Sequence, residues 1–217
     1  NEEDDEFEFD FSGLSLLHIL AYSDSNDLLK KLIQSNQFDI NKPTDEHVES
    51  KLNGTPLIIA LKNNQLKNLY LLLDYYKSQL DLSIYDRNGK AAVHYCLELA
   101  NNSLDILRYL IEIDDRIVNM ETNNQKRETP LLISLNHKNV ECSMLLLQQP
   151  SINVFCYSND YNTPIHYIAS DGKKEIIDSV LMKINSAMKD ADDSIKKEII
   201  NFVNIQNSKG ETALLIG

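Results

Sequence analysis

The side chains best suited to chemistry in this 217-residue chain are five histidines, three cysteines and 33 carboxylates. Histidine titrates near neutrality and ligates metals, so His18, His47, His94, His137 and His166 are the first candidates for a general base or a metal centre. His47 and His137 fall in predicted loops or helix ends with no ligand-like companion. Cys96, Cys142 and Cys156 have neither the paired spacing of a zinc site nor the even number of a disulfide framework. A nucleophilic thiol needs a base within reach, and the sequence supplies none. The carboxylate pairs Asp114-Asp115 and Asp192-Asp193 stand in polar stretches that read as solvated turns. There is no Gly-rich phosphate loop, His-Glu-x-x-His or Gly-x-Ser-x-Gly motif. The expectation is a chain with no catalytic residue, no metal, no cofactor and no enzymatic activity of its own.

Charge and composition narrow the class further. The formal charge is −12, and a nucleic-acid groove needs clustered Lys and Arg, so nucleic acid is not an expected partner. Seven carboxylates crowd into residues 1–10, leaving 26 acids against 21 bases in the remainder, so the body is only mildly acidic. Six Gly and five Pro are too few for many tightly turned strands and favour a largely helical protein. No run approaches the roughly 18 apolar residues of a membrane span, and no basic-then-apolar signal opens the chain. Unpaired cysteines and the missing signal fit an intracellular setting, cytoplasmic or nuclear.

The elements that must position these residues come from a repeat. Asn-Gly-Thr-Pro-Leu-Ile-Ile-Ala (53–60), Arg-Glu-Thr-Pro-Leu-Leu-Ile-Ser (127–134) and Tyr-Asn-Thr-Pro-Ile-His-Tyr-Ile (161–168) are related, with weaker copies at 13–20, 89–96 and 210–217. Their Thr-equivalent positions are Ser15, Thr55, Ala91, Thr129, Thr163 and Thr212, so the unit recurs every 34 to 49 residues. Ser or Thr caps a helix, and Pro is tolerated at its first position, so Pro56, Pro130 and Pro164 mark helix starts. A second apolar block follows each start, at 28–33, 69–73, 106–111, 144–147 and 176–181. Five residues before each Thr-equivalent stand Asp10, Ser50, Asp86, Asn124, Ser158 and Asn207, all short oxygen-bearing side chains of the kind that close tight turns.

These segments resemble the ankyrin repeat family, whose unit is about 33 residues long with a Thr-Pro-Leu-His-x-Ala signature. His18, His94 and His166 occupy the signature His, which implies one shared set of local hydrogen bonds rather than one metal. Cys96 stands at the signature Ala, a core position. The resemblance implies an all-α, ankyrin-type α-solenoid of stacked helix-turn-helix pairs with projecting β-hairpin loops. An acidic flank (1–9) precedes an array at 10–217, divided as 10–49, 50–85, 86–123, 124–157, 158–206 and an incomplete 207–217. Excess length is expected at 42–49, 75–79, 98–102 with 112–115, and above all 182–202. Periodic apolar residues in the last predict an additional or lengthened helix capped near Asp193 or Ser194. Asn53, Arg127 and Tyr161 hold turn positions where the family usually has Gly, and the Arg127 and Tyr161 tips are expected to be rebuilt or to carry contacts.

By the same resemblance, a partner protein or peptide would bind hairpin tips and the concave edge of the first helices. Carried onto this chain, that surface comprises Tyr85, Arg87, Asn88, Lys90 and Glu98; Asn123, Gln125, Lys126, Glu128, Asn136 and His137; Tyr157, Asn159, Asp160, Tyr161 and Asn162. Exposed tyrosines at tips make suitable anchors. The expected function is a protein–protein interaction module, a monomeric array without membrane insertion. The alternative is a targeting or autoregulatory arm of a larger enzyme or of a signalling or transcription regulator, as an initial Asn and a cut sixth repeat suggest.

Overall fold

The computed structural model describes residues 14–35, 37–45, 47–48, 50–99, 101–171, 173–189 and 191–217. The acidic run at 1–9, Asp10 and Gly13 lie outside them. The chain divides into two compact units, Asn1–Arg87 and Asn88–Gly217.

The first unit holds α1 (Leu16–Tyr22), α2 (Asn26–Gln34), a 3-10 turn (Ser50–Leu52), α3 (Pro56–Lys62) and α4 (Leu66–Tyr76). Helix α1 pairs with α2 and α3 with α4, while α1 stacks on α3 and α2 on α4. The second unit holds α5 (Ala92–Glu98), α6 (Ser103–Ile113), a 3-10 turn (Asp115–Asn119), α7 (Pro130–Asn136), α8 (Val140–Leu147), α9 (Pro164–Asp171), α10 (Lys174–Lys189), α11 (Asp193–Val203) and α12 (Ala213–Ile216). Its first helices α5, α7, α9 and α12 form one row, and its second helices α6, α8 and α10 form another. A helix inside such a row is covered on both flanks, which is why every residue of α7 from Pro130 to Leu135, between α5 and α9, is buried. Among the described residues there is no strand; the hairpins close on single backbone pairs, such as Ser158 N–H to Asn162 O at 3.0 Å.

Two caps start the first helices. Thr55 and Thr129 hydroxyls accept the Ile58 and Leu132 N–H groups at 3.4 Å. Where His stands three residues on, the imidazole takes over. Nδ1 accepts the N–H of Ser15 (3.0 Å), Ala91 (2.9 Å) and Thr163 (3.2 Å). A ring nitrogen that accepts leaves its partner to carry the proton, so Nε2–H donates to the carbonyls of Lys42 (2.8 Å), Met120 (2.8 Å) and Glu211 (3.1 Å). Each histidine thereby ties a helix start to a downstream loop.

Asparagines lock neighbouring repeats at the far end. Asn41 donates to the Gln79 carbonyl (2.7 Å) and accepts the Asp81 N–H (2.9 Å). Asn119 repeats the arrangement on Ser151 O (2.7 Å) and Asn153 N–H (2.8 Å). Each amide copies a peptide unit, satisfying a donor and an acceptor that the loop would otherwise leave open.

The turn positions correct one expectation and decide another: the Arg127 and Tyr161 tips carry contacts, to Glu121 and Tyr157, without being rebuilt. Asn53 is buried, its side-chain oxygen accepting the Arg87 N–H at 3.2 Å, and the positive φ falls one residue later, at Gly54. Arg127 (φ 49°) and Tyr161 (φ 58°) keep the same left-handed turn as Gly89 (φ 68°) and Gly210 (φ 77°), so those tips are not rebuilt. Space explains which tips need glycine. A Cβ at Gly89 would lie 2.1 Å from the Asn123 carbonyl oxygen, whereas Gly210 is open on that side.

The 182–202 insertion proves to be both a lengthened and an additional helix. Helix α10 runs on to Lys189, and α11 follows with Asp192, not Asp193 or Ser194, accepting the Ile195 N–H at 2.8 Å. Ile199 is the buried residue of α11, which packs on α10.

Candidate functional site

The candidate residues divide by unit. In the first, Tyr85 is half-buried, and the Arg87 guanidinium donates to the Val48 carbonyl within the 42–49 extension. Arg87 therefore holds a loop in place, a duty its sequence position does not reveal.

In the second unit the tips form a ladder. Asn123 N–H donates to Gly89 O (2.7 Å), Asn159 N–H to Lys126 O (2.8 Å) and Ser208 N–H to Asp160 O (2.8 Å). Side chains add to it: Asn124 bonds the Asn88 carbonyl at 2.9 Å, and Asn207 bonds Asn162 at 3.1 Å. Asn88 reaches the Tyr95 hydroxyl at 3.0 Å, while Lys90 pairs with Glu98 and lies 5.3 Å from the Tyr95 ring centroid. Much of the polar character foreseen for binding is thus spent on positioning. Gln125 and Lys126 remain exposed at their tip.

Asn136 and His137 lie elsewhere, at the helix-turn end of α7. A seven-residue helix is about 10 Å long, which separates them from the hairpins. His137 and Glu98 line a polar cleft of about 750 Å³ with Asn102, Asp105, Lys138 and Glu141. Asn136 lines a smaller one of about 360 Å³ with Tyr167 and Ile168.

The fifth hairpin carries the exposed aromatics. Tyr157 and Tyr161 are 46% and 49% exposed, with rings stacked 5.5 Å apart and 17° from parallel. Beside them the Arg127 guanidinium binds Glu121 through two nitrogens, at 3.1 and 2.8 Å. That carboxylate, followed by the charge of Tyr157 when ionised, favours the charged guanidinium. Glu121, Ser158 and Tyr167 are neighbours that sequence reasoning missed, and Arg127 was expected only to carry contacts of some kind; the 4-residue spacing of the tyrosines was visible, but the pairing of two loops was not.

The remaining titratable groups are built for structure. Burial lowers the pKa values of His18 and His94, with their carbonyl hydrogen bonds opposing it. Burial raises all three thiols, Cys156 to about 11, away from the thiolate form. Cys96 and Cys142 both contact Ser103, at 3.2 Å to its carbonyl and 3.5 Å to its hydroxyl. Among the described residues no group of three or more His, Cys, Asp or Glu is arranged to hold a metal, and no helix is long and apolar enough to cross a membrane.

Comparison with known proteins decides the family. A family model described as ankyrin repeats in three copies matches residues 17–119 and again 100–190. The chain belongs to the ankyrin repeat family. As an ankyrin array it is 25% identical over 166 residues, 76% of its length, to the human transient receptor potential cation channel subfamily A member 1. It is 27% identical over 130 residues, 60% of its length, to a putative E3 ubiquitin-protein ligase, XBAT31, of Arabidopsis thaliana. It spans only 14% and 26% of the lengths of these relatives. Its fold matches that of the ankyrin repeat protein EF0377 with a TM-score of 0.62 at 18% identity, over 91% of this chain and 87% of that one. The ankyrin α-solenoid fold, in general a binding scaffold rather than a catalytic one, is therefore the frame for function.

Proposed function

We propose that this ankyrin array is a protein-interaction module that captures a partner protein or peptide on the hairpin tips of its second unit. The observation that carries the reading is the Tyr157–Tyr161 stack, two half-exposed rings held on a tip whose backbone is fixed by the hydrogen-bonded ladder. Pre-ordered aromatic rings lose little entropy on binding and are the commonest interaction anchors. Arg87 contributes by holding its loop, and Asn136 and His137 border a separate cleft.

The test compares partner capture from cell extract by the unaltered chain, by Tyr157→Ala and by Tyr161→Gly, with quantitative mass spectrometry. Proteins held by the unaltered chain and depleted at least fivefold on both variants identify the partner. Undiminished capture by both variants rejects the tip. A second reading, that the array is a targeting or autoregulatory arm of a larger enzyme or regulator, draws support from the much greater length of the relatives.

A further inference from the structure

Asparagine stands directly before glycine twice in the chain, at Asn53-Gly54 and Asn88-Gly89. Such a pair can close on itself: the glycine nitrogen attacks the asparagine side-chain carbon, with no Cβ to obstruct the approach, and ammonia leaves. In a folded chain the outcome depends on what holds the two reacting groups.

At the first pair both are held. Asn53 is 4% exposed, its Oδ1 accepts the Arg87 N–H at 3.2 Å, and the Gly54 N–H donates to the Thr44 hydroxyl at 3.1 Å. The second pair is arranged the other way. Asn88 is exposed, and the Gly89 N–H donates to no backbone carbonyl among the described residues. The Asn124 side-chain amide donates to the Asn88 carbonyl at 2.9 Å, where a donor stabilises the negative charge that the peptide acquires when the Gly89 nitrogen loses its proton. The nitrogen that must leave, Asn88 Nδ2, lies 3.0 Å from the Tyr95 hydroxyl. That hydroxyl accepts from the amide and can turn to donate once the nitrogen has become an amine. The turn itself demands the glycine, because any Cβ at Gly89 would collide with the Asn123 carbonyl.

We propose that Asn88 is a site of self-modification, converted in the folded array to aspartate and isoaspartate through a cyclic imide. Hydroxide takes the Gly89 N–H proton, and the nitrogen bonds to Asn88 Cγ. The Cγ–Nδ2 bond then breaks, the Tyr95 hydroxyl giving the proton that lets the nitrogen leave as ammonia. Water returns that proton to Tyr95 and regenerates hydroxide. A second water opens the imide. Opening at the Asn88 backbone carbon lengthens the main chain by one carbon and turns the oxygen held by Asn124 into part of a free carboxylate. Both the Asn124–Asn88 and Asn123–Gly89 rungs of the tip ladder are then lost. The proposal goes beyond partner capture and does not depend on it.

The test incubates the chain in mildly alkaline buffer, folded and in urea, and follows ammonia loss and isoaspartate at both pairs by peptide mapping with mass spectrometry. In the folded chain Asn88 should react at least tenfold faster than Asn53, and in urea the two should agree within threefold. Tyr95→Phe and Asn124→Ala should each slow Asn88 at least threefold in the folded chain and leave its rate in urea unchanged. A folded-state rate at Asn88 tenfold below its rate in urea would show that the fold protects it and would overturn the proposal. So would equal folded-state rates at the two pairs, a difference that persists in urea, or a rate at Asn88 that neither variant lowers.

Discussion

Tyr161 sits at φ 58°, where a β-carbon is crowded against the following carbonyl. That conformation costs a non-glycine residue roughly 1–2 kcal/mol. Removing the ring forfeits its stacking on Tyr157, worth about 0.5–1.5 kcal/mol, and glycine adds unfolded-state freedom of about 0.5–1 kcal/mol. Tyr161→Gly is therefore expected to stay within about 1 kcal/mol of the unaltered chain, because relief of strain offsets these losses. Tyr161→Ala keeps the strain and should be the less stable of the two. Gly89→Ala belongs to another class, since its β-carbon would collide with the Asn123 carbonyl; overpacking of this kind costs roughly 1–3 kcal/mol. Urea titration of the three variants checks the order, which fails if Gly89→Ala is the mildest. A glycine in the family pattern marks the turn but not the clearance around it, so the sequence could not tell Gly89, where nothing else fits, from the positions where Arg127 and Tyr161 are tolerated.

The first helices were the most legible elements, because Thr-Pro fixes both their cap and their first turn. Pro56, Pro130 and Pro164 begin helices as expected. The second helices were legible from their apolar blocks, although the extension of α10 to Lys189 was not separable from a new helix by periodicity alone. Helix α11 is the element least committed to the core, with Ile199 its buried residue and Ile195 and Ile200 about half exposed. Its stability leans on the Asp192 cap. Asp192→Ala should cost about 1 kcal/mol of helix stability, raising amide exchange over 193–203 while leaving α5 to α9 unchanged. Exchange that rises equally in α7 would show that α11 is coupled to the stack.

Across the whole molecule the same histidine device recurs in both units, with consequences for pH. His18 and His94 are held neutral: each Nδ1 accepts, and burial lowers each pKa below the ordinary value near 6.5. A base whose folded pKa is lowered contributes stability that is complete above the unfolded value and is lost as pH falls through it toward the folded one. The urea midpoint is therefore expected to fall between pH 7.5 and 5.5, and His18→Gln with His94→Gln to flatten that fall. An unchanged slope in the double variant would move the acid sensitivity elsewhere. The shared histidine position was visible in the sequence, and so was the bond of each Nδ1 to its own helix start. Its reach to Lys42, Met120 and Glu211 was not, since those carbonyls lie 24 to 45 residues downstream with no side-chain signature.

The paired-amide locks of Asn41 and Asn119 bear on how such a chain can change length. They hold the loop after one second helix against the loop after the next, while the tip ladder holds the hairpins. Helix spacing is thus gauged at both ends of a repeat, and whatever is added between the gauges must bulge outward. The α11 excursion is growth of this kind. Grafted sequence should be best accommodated there.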